Sequence, residues 1–222
     1  MNLLEIRDMN IFYGNKEIVK NISFDLEYSK VLGIVGQSGS GKSTIIWTIM
    51  GMIQNLGGSY SGTMKFEGKE LKGKPTWDNI SIVPQLAMNS FNPVVKISET
   101  VNELYRFSKL SKKEFDEKVG NLLKMVNLDK EMLNLYPHQL SGGMKQRLAM
   151  VCALCTDPKL LILDESTTGL DLLVEAEILY YLKNIKEKLN ISIIFVSHDK
   201  RLVDAFCDEV LYIKNKKIAK AV

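Results

Sequence analysis

The chain alternates short, nearly continuous apolar runs with longer stretches in which apolar residues recur at helical spacing. Val31–Val35 and Ile191–Val196 are runs of the first kind, which is typical of strands buried on both faces of a parallel sheet. Stretches of the second kind predict helices at about Lys42–Gln54 and at Leu172–Leu189. The alternation therefore predicts an α/β fold with a mainly parallel sheet core flanked by helices.

Two regions depart from this alternation. Leu3–Ile11 and Ile18–Leu26 are separated by the turn-forming residues Tyr13–Lys16, which predicts an N-terminal antiparallel β-subdomain. From Ile97 to about Leu135, Lys, Glu, Leu and Phe recur at helical spacing and Ser111 begins a capping box, which predicts an inserted helical lobe. The remaining segments are predicted as a loop at Gly57–Gly62, strands at Thr63–Phe66, Ile80–Pro84, Lys159–Asp164, Glu209–Ile213 and Lys216–Ala219, and a helix after His198.

Composition narrows the class of protein. The 222 residues suffice for one domain, or a domain with a lobe, and the net charge of +3 is too small to indicate a nucleic-acid partner. No apolar run approaches the roughly 18–20 residues that span a bilayer, and Met1–Glu5 lacks the basic start of a signal peptide. We expect a soluble, cytoplasmic protein that contacts a membrane only through partners.

Three cysteines, Cys152, Cys155 and Cys207, do not form a disulfide framework. The first two have C-x-x-C spacing but lie within the apolar, helical run Leu148–Cys155, with no second Cys or His pair nearby. This context favours buried packing thiols, with redox or metal chemistry as the alternative.

A phosphate-binding loop is the strongest motif, because Gly36–Ser43 matches G-x-x-x-x-G-K-[ST] without a gap. Glycines let successive backbone N–H groups turn toward phosphate oxygens, and the following helix directs its positive end at the same anion. Lys42 is expected to reach the β- and γ-phosphates, and the Ser43 hydroxyl to coordinate Mg²⁺. The predicted ATP-binding residues of this segment are Gly36, Gln37, Ser38, Gly39, Ser40, Gly41, Lys42, Ser43 and Thr44.

Paired carboxylates form the second motif. The apolar run Leu160–Leu163 ends in Asp164 and Glu165, and a buried parallel strand delivers such residues to the edge where ligands bind. Asp164 is predicted to hold Mg²⁺, and Glu165 to act as the general base that polarises the attacking water. The alternative is a strand that simply ends at the solvent with acidic residues.

Leu140–Arg147, with the sequence LSGGMKQR, resembles the LSGGQ signature of ABC ATPases. The resemblance covers essentially the whole chain and implies an ABC-type P-loop ATPase that sandwiches two ATP molecules with a second ABC ATPase subunit. In this family the signature completes the nucleotide site of the partner subunit. The residues that the resemblance assigns to this trans signature are Ser141, Gly142, Gly143 and Gln146.

The resemblance also implies roles for four isolated residues. Tyr13 corresponds to the aromatic residue that stacks on adenine, and Gln85 to the glutamine that contacts Mg²⁺ and senses the γ-phosphate. Asp171, in Gly169–Asp171, corresponds to the loop at the dimer interface. His198 corresponds to the switch histidine that touches the γ-phosphate and orients the catalytic Glu165. Each could instead be an ordinary turn or strand-end residue.

A narrower resemblance is to the ATPases of peptide and nickel importers. It is carried by Gln85–Pro93, by Tyr136–Leu140 and by Ile193–Asp199. It implies two membrane permease subunits, an extracytoplasmic substrate-binding protein, and a peripheral location on the inner face of the cell membrane. Ser166 stands where the family usually has proline, and the chain stops at Val222 where these ATPases usually continue, so we expect either a short protein or a missing extension.

The sequence thus predicts one ABC ATPase domain over residues 1–222. Residues 1–84 and 157–222 would form the ATP-binding core with its β-subdomain, and about 86–156 the helical signature lobe. The predicted function is ATP hydrolysis that energises import of peptides or nickel. The alternatives are a non-transport ABC ATPase of repair, translation or cluster assembly, and a protein that binds ATP without turnover. Only 55 residues separate Gln85 from Ser141, too few for the long coiled coil of repair-type members.

Overall fold

A computed structural model describes residues 1–71, 79–166 and 172–220, with the side chains of residues 172 and 220 left out. Its strands are β1 (Asn2–Tyr13), β2 (Lys16–Glu27), β3 (Val31–Gly36), β4 (Gly58–Phe66), β5 (Lys69–Glu70), β6 (Ile80–Val83), β7 (Leu160–Asp164), β8 (Ser192–Ser197), β9 (Glu209–Lys214) and β10 (Lys217–Lys220). Its α-helices are α1 (Lys42–Ile49), α2 (Ile97–Leu104), α3 (Lys112–Met125), α4 (Gly142–Leu154), α5 (Leu172–Leu189) and α6 (Lys200–Phe206).

The core sheet has the strand order β10-β9-β3-β8-β7-β6. All neighbouring pairs are parallel except β9 and β10, which form an antiparallel hairpin. Strands β7 and β8 are buried along their whole length, as expected for strands covered by helices on both faces. The carboxyl ends of β3, β6, β7 and β8 consequently meet at one edge of the sheet, where the predicted site residues lie.

The N-terminal strands form a separate antiparallel sheet in the order β2-β1-β4-β5. Helix α1 contacts strands of both sheets, and its buried Ile45, Ile46 and Ile49 share one apolar cluster with β1 and β2. This packing places the start of α1 between the two sheets. The predicted antiparallel β-subdomain and parallel core are therefore both present.

The loop predicted at Gly57–Gly62 is wrong for most of its length, because β4 begins at Gly58. Gly58 pairs with Tyr13 of β1, and a side chain there would come within 2.8 Å of Ile53. The glycine thus permits close packing of a strand. Gly57, with φ of +77°, and Gly62, with φ of +96° beside a register shift, have the backbone conformation that favours glycine.

Two helix boundaries can be compared with the predictions: the end of α1 differs from its prediction, and the start of α3 matches it. Helix α1 stops at Ile49 instead of about Gln54, because Gly51 adopts a left-handed φ of +69° two residues later. Ser111 does begin α3 with a capping box: its Oγ accepts from Glu114 N at 3.4 Å, and Glu114 Oε2 accepts from Ser111 N at 2.8 Å. The capping-box prediction is therefore confirmed.

Helices α2, α3 and α4 form the inserted lobe, with short 3₁₀ turns between them. Their apolar side chains, among them Phe115 and Leu148, belong to the same buried cluster as Leu161 and Leu163 of the core sheet. The lobe therefore packs directly onto one face of the sheet. No helix in the described ranges is long and apolar enough to cross a membrane.

The three cysteines are free thiols. Burial raises the pKa of each thiol to about 12, so the reactive thiolate is scarce near neutral pH. Cys155 Sγ donates to the Cys152 carbonyl oxygen at 3.1 Å, within α4 and its end. These observations support the interpretation of the cysteines as packing residues.

Candidate functional site

The loop Gly36–Ser43 joins β3 to α1 at the carboxyl edge of the core sheet. Gly39 and Gly41 have left-handed φ angles of +77° and +102°, and a Cβ at Gly41 would lie 2.8 Å from Val19 Cγ2. Glycine is therefore required at Gly41 by both conformation and space. Helix α1 begins at Lys42, so its unpaired backbone N–H groups and positive dipole end are available to an anion held by the loop.

Lys42 lies inside this loop, with only 4% of its side chain exposed. Its Nζ donates to the carbonyl oxygens of Gly36 at 2.8 Å and Gln37 at 3.2 Å. The same Nζ is 3.2 Å from Glu165 Oε1. A buried ammonium group is costly without partners, and here the loop and the acid supply them. The positive charge is thus fixed at the centre of the phosphate-binding loop.

Asp164 ends β7 and is 4% exposed. Its carboxyl group is hydrogen-bonded by the Ser43 side chain, while its Oδ1 atom is buried and has no hydrogen-bond partner in the described structure. Burial raises the pKa of Asp164; the Ser43 hydrogen bond opposes that rise, the charge of Glu165 adds to it, and Lys42 opposes it.

The pairing of Asp164 with Ser43 fits a Mg²⁺ ion. Mg²⁺ prefers oxygen donors and is commonly held by one or two carboxylates together with phosphate and water oxygens. The buried, unpartnered Oδ1 beside a hydroxyl is such a donor set. No group of three or more His, Cys, Asp or Glu side chains suited to a metal occurs in the described ranges.

Glu165 has three polar neighbours, each from a different segment. Gln85 Nε2 donates to its Oε2 at 3.2 Å, His198 Nδ1 lies 3.8 Å from the same oxygen, and Lys42 lies beside Oε1. Gln85 follows β6, Glu165 follows β7 and His198 follows β8, so adjacent parallel strands bring them together. The structure therefore places three predicted site residues within 3.8 Å of the Glu165 carboxylate.

The backbone of Glu165 is in an uncommon conformation. Its φ is +44°, although it is not glycine, and its N–H donates to the Val196 carbonyl oxygen at 3.0 Å. Such conformations cost roughly 1–3 kcal/mol and occur where the surroundings enforce them, often at active sites. Here the conformation turns the chain directly after β7 and leaves the Glu165 side chain 13% exposed.

The structure does not place every predicted nucleotide residue in this arrangement. A cleft of about 960 Å³ beside the loop is lined by Gly36–Ser40 and His198, but not by Tyr13. Tyr13 is half-buried at the end of β1 and packs against the apolar cluster of the N-terminal sheet. Thr44 lies in the first turn of α1, where its carbonyl oxygen accepts from Thr48 Oγ1 at 2.8 Å. The adenine-stacking role of Tyr13 and the ATP contact of Thr44 stay predictions.

The segment Ser141–Gly143 lies at the start of α4, where Ser141 is exposed and the two glycines are half-buried. Ser141 is the N-cap, and its Oγ accepts from Met144 N at 3.2 Å. A Cβ at Gly143 would come within 3.1 Å of Val174 Cγ1. No hydrogen bond or ion pair among the described residues joins this segment to the phosphate loop. This helix start does not contact its own chain's phosphate loop, and its role as an anion site stays a prediction.

The burial of Gln146 contradicts its predicted role in the trans signature. It is 1% exposed, and neither its Nε2 nor its Oε1 has a hydrogen-bond partner in the described structure. Gly142, one helical turn earlier, faces Met88, so this face of α4 packs inside the chain. A buried amide cannot contact a partner's nucleotide. Asp171, with Gly169 and Leu170, lies outside the described residues.

A second group of residues that lines the cleft, most of them lysines, was not predicted from the sequence. Lys16 of the β1–β2 turn and Lys214, Asn215 and Lys216 around the β9–β10 turn also line it. The signal that could have indicated them was the density of lysines in these two turns. Nothing in the motif pattern, however, indicates that the turns lie beside the loop.

Comparison with known proteins identifies the family. The profile described as ABC transporter matches residues 19–168, about two thirds of the chain, including the phosphate loop, the signature and the paired carboxylates. The chain belongs to the ABC transporter family. The predicted family and fold class are therefore confirmed for this ABC protein.

Curated ABC relatives carry transport names. The oligopeptide transport ATP-binding protein AppD of Bacillus subtilis is 35% identical over 94% of this chain and 68% of its own length. The oligopeptide transport ATP-binding protein OppD of Salmonella typhimurium is 38% identical over 94% of this chain and 66% of its own. The chain thus spans about two thirds of the length of these relatives.

Solved ABC structures share the fold. The structure of cbiO1 from Clostridium perfringens, described as part of the ABC transporter complex cbiONQ, superposes with a TM-score of 0.88 at 29% identity. It covers 98% of this chain and 87% of cbiO1. The β-subdomain, the parallel core and the helical lobe described above are therefore those of an ABC ATPase.

Proposed function

We propose that this chain binds and hydrolyses ATP to energise an ABC importer of oligopeptides. The observation that carries the proposal is the position of Glu165, held between Lys42, Gln85 and His198 and directly after the buried Asp164. Such an arrangement suits phosphoryl transfer to water, where catalysis depends on positioning and on charge stabilisation.

Each residue has a distinct role in the proposed reaction. The backbone N–H groups of Gly36–Ser43 bind the triphosphate, and Lys42 neutralises the charge of its terminal phosphates. The Ser43 hydroxyl, the Asp164 carboxylate and Gln85 are the proposed Mg²⁺ ligands. When bound, Mg²⁺ supplies charge neutralisation between the phosphates and fixes their orientation.

Proton transfer is assigned to Glu165. Its carboxylate accepts the proton of the attacking water as the bond from the water oxygen to the γ-phosphorus forms and the bond from that phosphorus to the β–γ bridging oxygen breaks, which releases ADP and phosphate. His198 and Gln85, which contact the same Oε2, hold this carboxylate in position and are placed to sense the terminal phosphate. His198 is 58% exposed, so it remains accessible from the cleft.

The signature provides the reason to propose a second ATPase subunit. The start of α4 at Ser141–Gly143 has no partner on its own chain's phosphate loop, and it would close the nucleotide site of another subunit. ATP binding would then join two subunits, and hydrolysis would separate them. The helical lobe at about 86–156, which begins after Gln85, would transmit this change to permease subunits.

The substrate and location are proposed from the relatives. AppD and OppD are named for oligopeptide transport, which favours peptides over nickel as the imported substrate. The chain would associate peripherally with the inner face of the membrane through two permeases. An extracytoplasmic binding protein would deliver the peptide.

The transport half of the proposal is tested by purification from detergent-solubilised membranes. A tagged chain is expected to retain integral membrane subunits that can be identified by sequencing, and peptide-loaded binding protein is expected to raise the ATPase rate of that complex. Retention of ribosomes or DNA in place of membrane subunits would favour a non-transport ABC ATPase.

A further inference from the structure

The cleft beside the phosphate loop has a basic second wall. Its lining includes Gly36–Ser40 of the loop and three lysines, Lys16, Lys214 and Lys216. Strand β2, which begins at Lys16, is joined to the β9–β10 turn, because Lys20 N donates to the Lys216 carbonyl oxygen at 2.7 Å. The wall is therefore a fixed part of the fold, formed from two distant segments of the chain.

The charges on this wall are not neutralised by the protein. Among the described residues, neither Lys16, Lys214 nor Lys216 has an ion pair, whereas Lys20 lies 3.8 Å from Glu17. All three lysines are exposed at the margin of the cleft. Clefts lined by one sign of charge concentrate ions of the opposite sign and accelerate their association.

Lys216 occupies an unfavourable backbone position. Lys214 pairs with Lys217, so Asn215 and Lys216 form a two-residue hairpin turn, and both have positive φ angles, of 51° and 65°. A turn of this geometry favours Asn-Gly, because glycine adopts the second positive φ without steric cost. The chain has Asn at the first position but a charged lysine at the second. Lys216 thus holds a charged side chain at a position where glycine would be the less strained residue.

We propose that Lys16, Lys214 and Lys216 form an electrostatic rim that captures nucleoside polyphosphates and directs them to the phosphate loop. The inference rests on the proposed function as an ATPase and concerns how its substrate enters. The rim acts on the anionic phosphates, so its effect increases with the charge of the nucleotide. Lys216 keeps its strained position because glycine would remove the charge nearest the turn.

The test uses the full chain and a fluorescent ATP analogue in stopped-flow association measurements. Lys216→Asn tolerates the left-handed backbone but lacks the charge, and Lys216→Gly relieves the strain as well. Both are expected to associate with nucleotide about two- to fivefold more slowly at low ionic strength, with little change in the dissociation rate constant. The difference should disappear near about 0.5 M salt, where the Debye length is only a few ångströms.

Two controls make the outcome decisive. Lys217→Ala removes a lysine from the adjacent strand that does not line the cleft, and it should associate at the parent rate. Lys216→Gly should also raise the melting temperature, which separates relief of strain from loss of charge. Association of Lys216→Asn at the parent rate in low salt would overturn the rim. If the parent protein did not bind ATP, that result would overturn the proposed ATPase function and, with it, the proposed rim.

Discussion

Lys42 Nζ lies 3.2 Å from Glu165 Oε1, so the lysine of the phosphate loop and the proposed general base form an ion pair. Both side chains are largely buried, at 4% and 13% exposure, so solvent screens their interaction only weakly. The cation proposed to bind phosphate is thus the ion-pair partner of the proposed base. The proposed phosphate site and Glu165 are linked through this contact.

Replacement of the lysine tests its role in binding. Lys42→Met keeps the length and apolar stem but removes the charge, and charged hydrogen bonds contribute about 1.5–3 kcal/mol each. We expect roughly 10- to 100-fold weaker ATP binding, measured by isothermal titration. Lys118→Met, which removes an ion pair with Asp157 on the lobe, should bind ATP as the parent does. Equal affinity of the Lys42→Met variant would show that the loop does not use this residue.

The buried carboxylate of Asp164 is expected to lower the stability of the fold although the proposed activity needs it. Because its pKa is raised in the folded state, the protonated form favours folding, and this contribution is lost as pH rises through the folded-state pKa. Near neutral pH the carboxylate therefore opposes folding. Asp164→Asn should raise the melting temperature of the nucleotide-free protein by about 2–4 °C, the effect of about 1 kcal/mol.

The same variant should lose Mg²⁺-dependent ATP hydrolysis. Its stability advantage should shrink as pH falls below the range in which Asp164 ionises, which thermal denaturation across a pH series would detect. A variant that is less stable than the parent at neutral pH would contradict the assignment of Asp164 as a buried, incompletely partnered carboxylate.

The two helix caps allow a matched comparison. Ser141→Ala and Ser111→Ala each remove a side-chain N-cap, of α4 and α3 respectively, and each should cost about 1 kcal/mol of stability. Only Ser141 belongs to the proposed signature surface. Its variant should therefore lose ATP-dependent association between subunits, measured by light scattering, while Ser111→Ala should keep it. Equal association by both would remove the proposed role of the α4 start.

We expect that the Gln146 side chain is not needed for ATP-dependent association and that its buried amide lowers the stability of the fold. Its buried amide has no partner in the described structure, and a buried unsatisfied polar group costs about 1–3 kcal/mol. Gln146→Met has a similar shape and should raise the denaturant midpoint. If the variant instead lost stability, or lost ATP-dependent association while staying folded, Gln146 would have a polar role that this burial does not reveal.

The sequence predicted the site well where one local motif determines the geometry. Gly36–Ser43 specifies a loop between a strand and a helix, and the acids after Leu163 must lie at the carboxyl edge of a parallel sheet. The contacts of Glu165 with Gln85 and His198 follow from the order of β6, β7 and β8 in the sheet, and the family resemblance had assigned both residues to the site of the γ-phosphate.

Prediction failed where tertiary packing decides. Gln146 lies in a polar, signature-like sequence, and only the packing of α4 buries it. Gly58 reads as a turn residue, but its role is to pack closely against Ile53. The three cleft lysines were not predictable as a group, because Lys16 and Lys216 are far apart in the chain and line one cleft only in the fold, where β2 is joined to the β9–β10 turn.

The central claim is that Glu165 is the base of an ATPase site in this chain. The most direct test is the rate of ATP hydrolysis by Glu165→Gln at saturating ATP, beside Glu103→Gln as an exposed control on α2. General base catalysis contributes about 10²–10⁴-fold, so the Glu165→Gln rate should fall by at least about 100-fold while ATP binding persists. Hydrolysis by this variant at the parent rate would contradict the account.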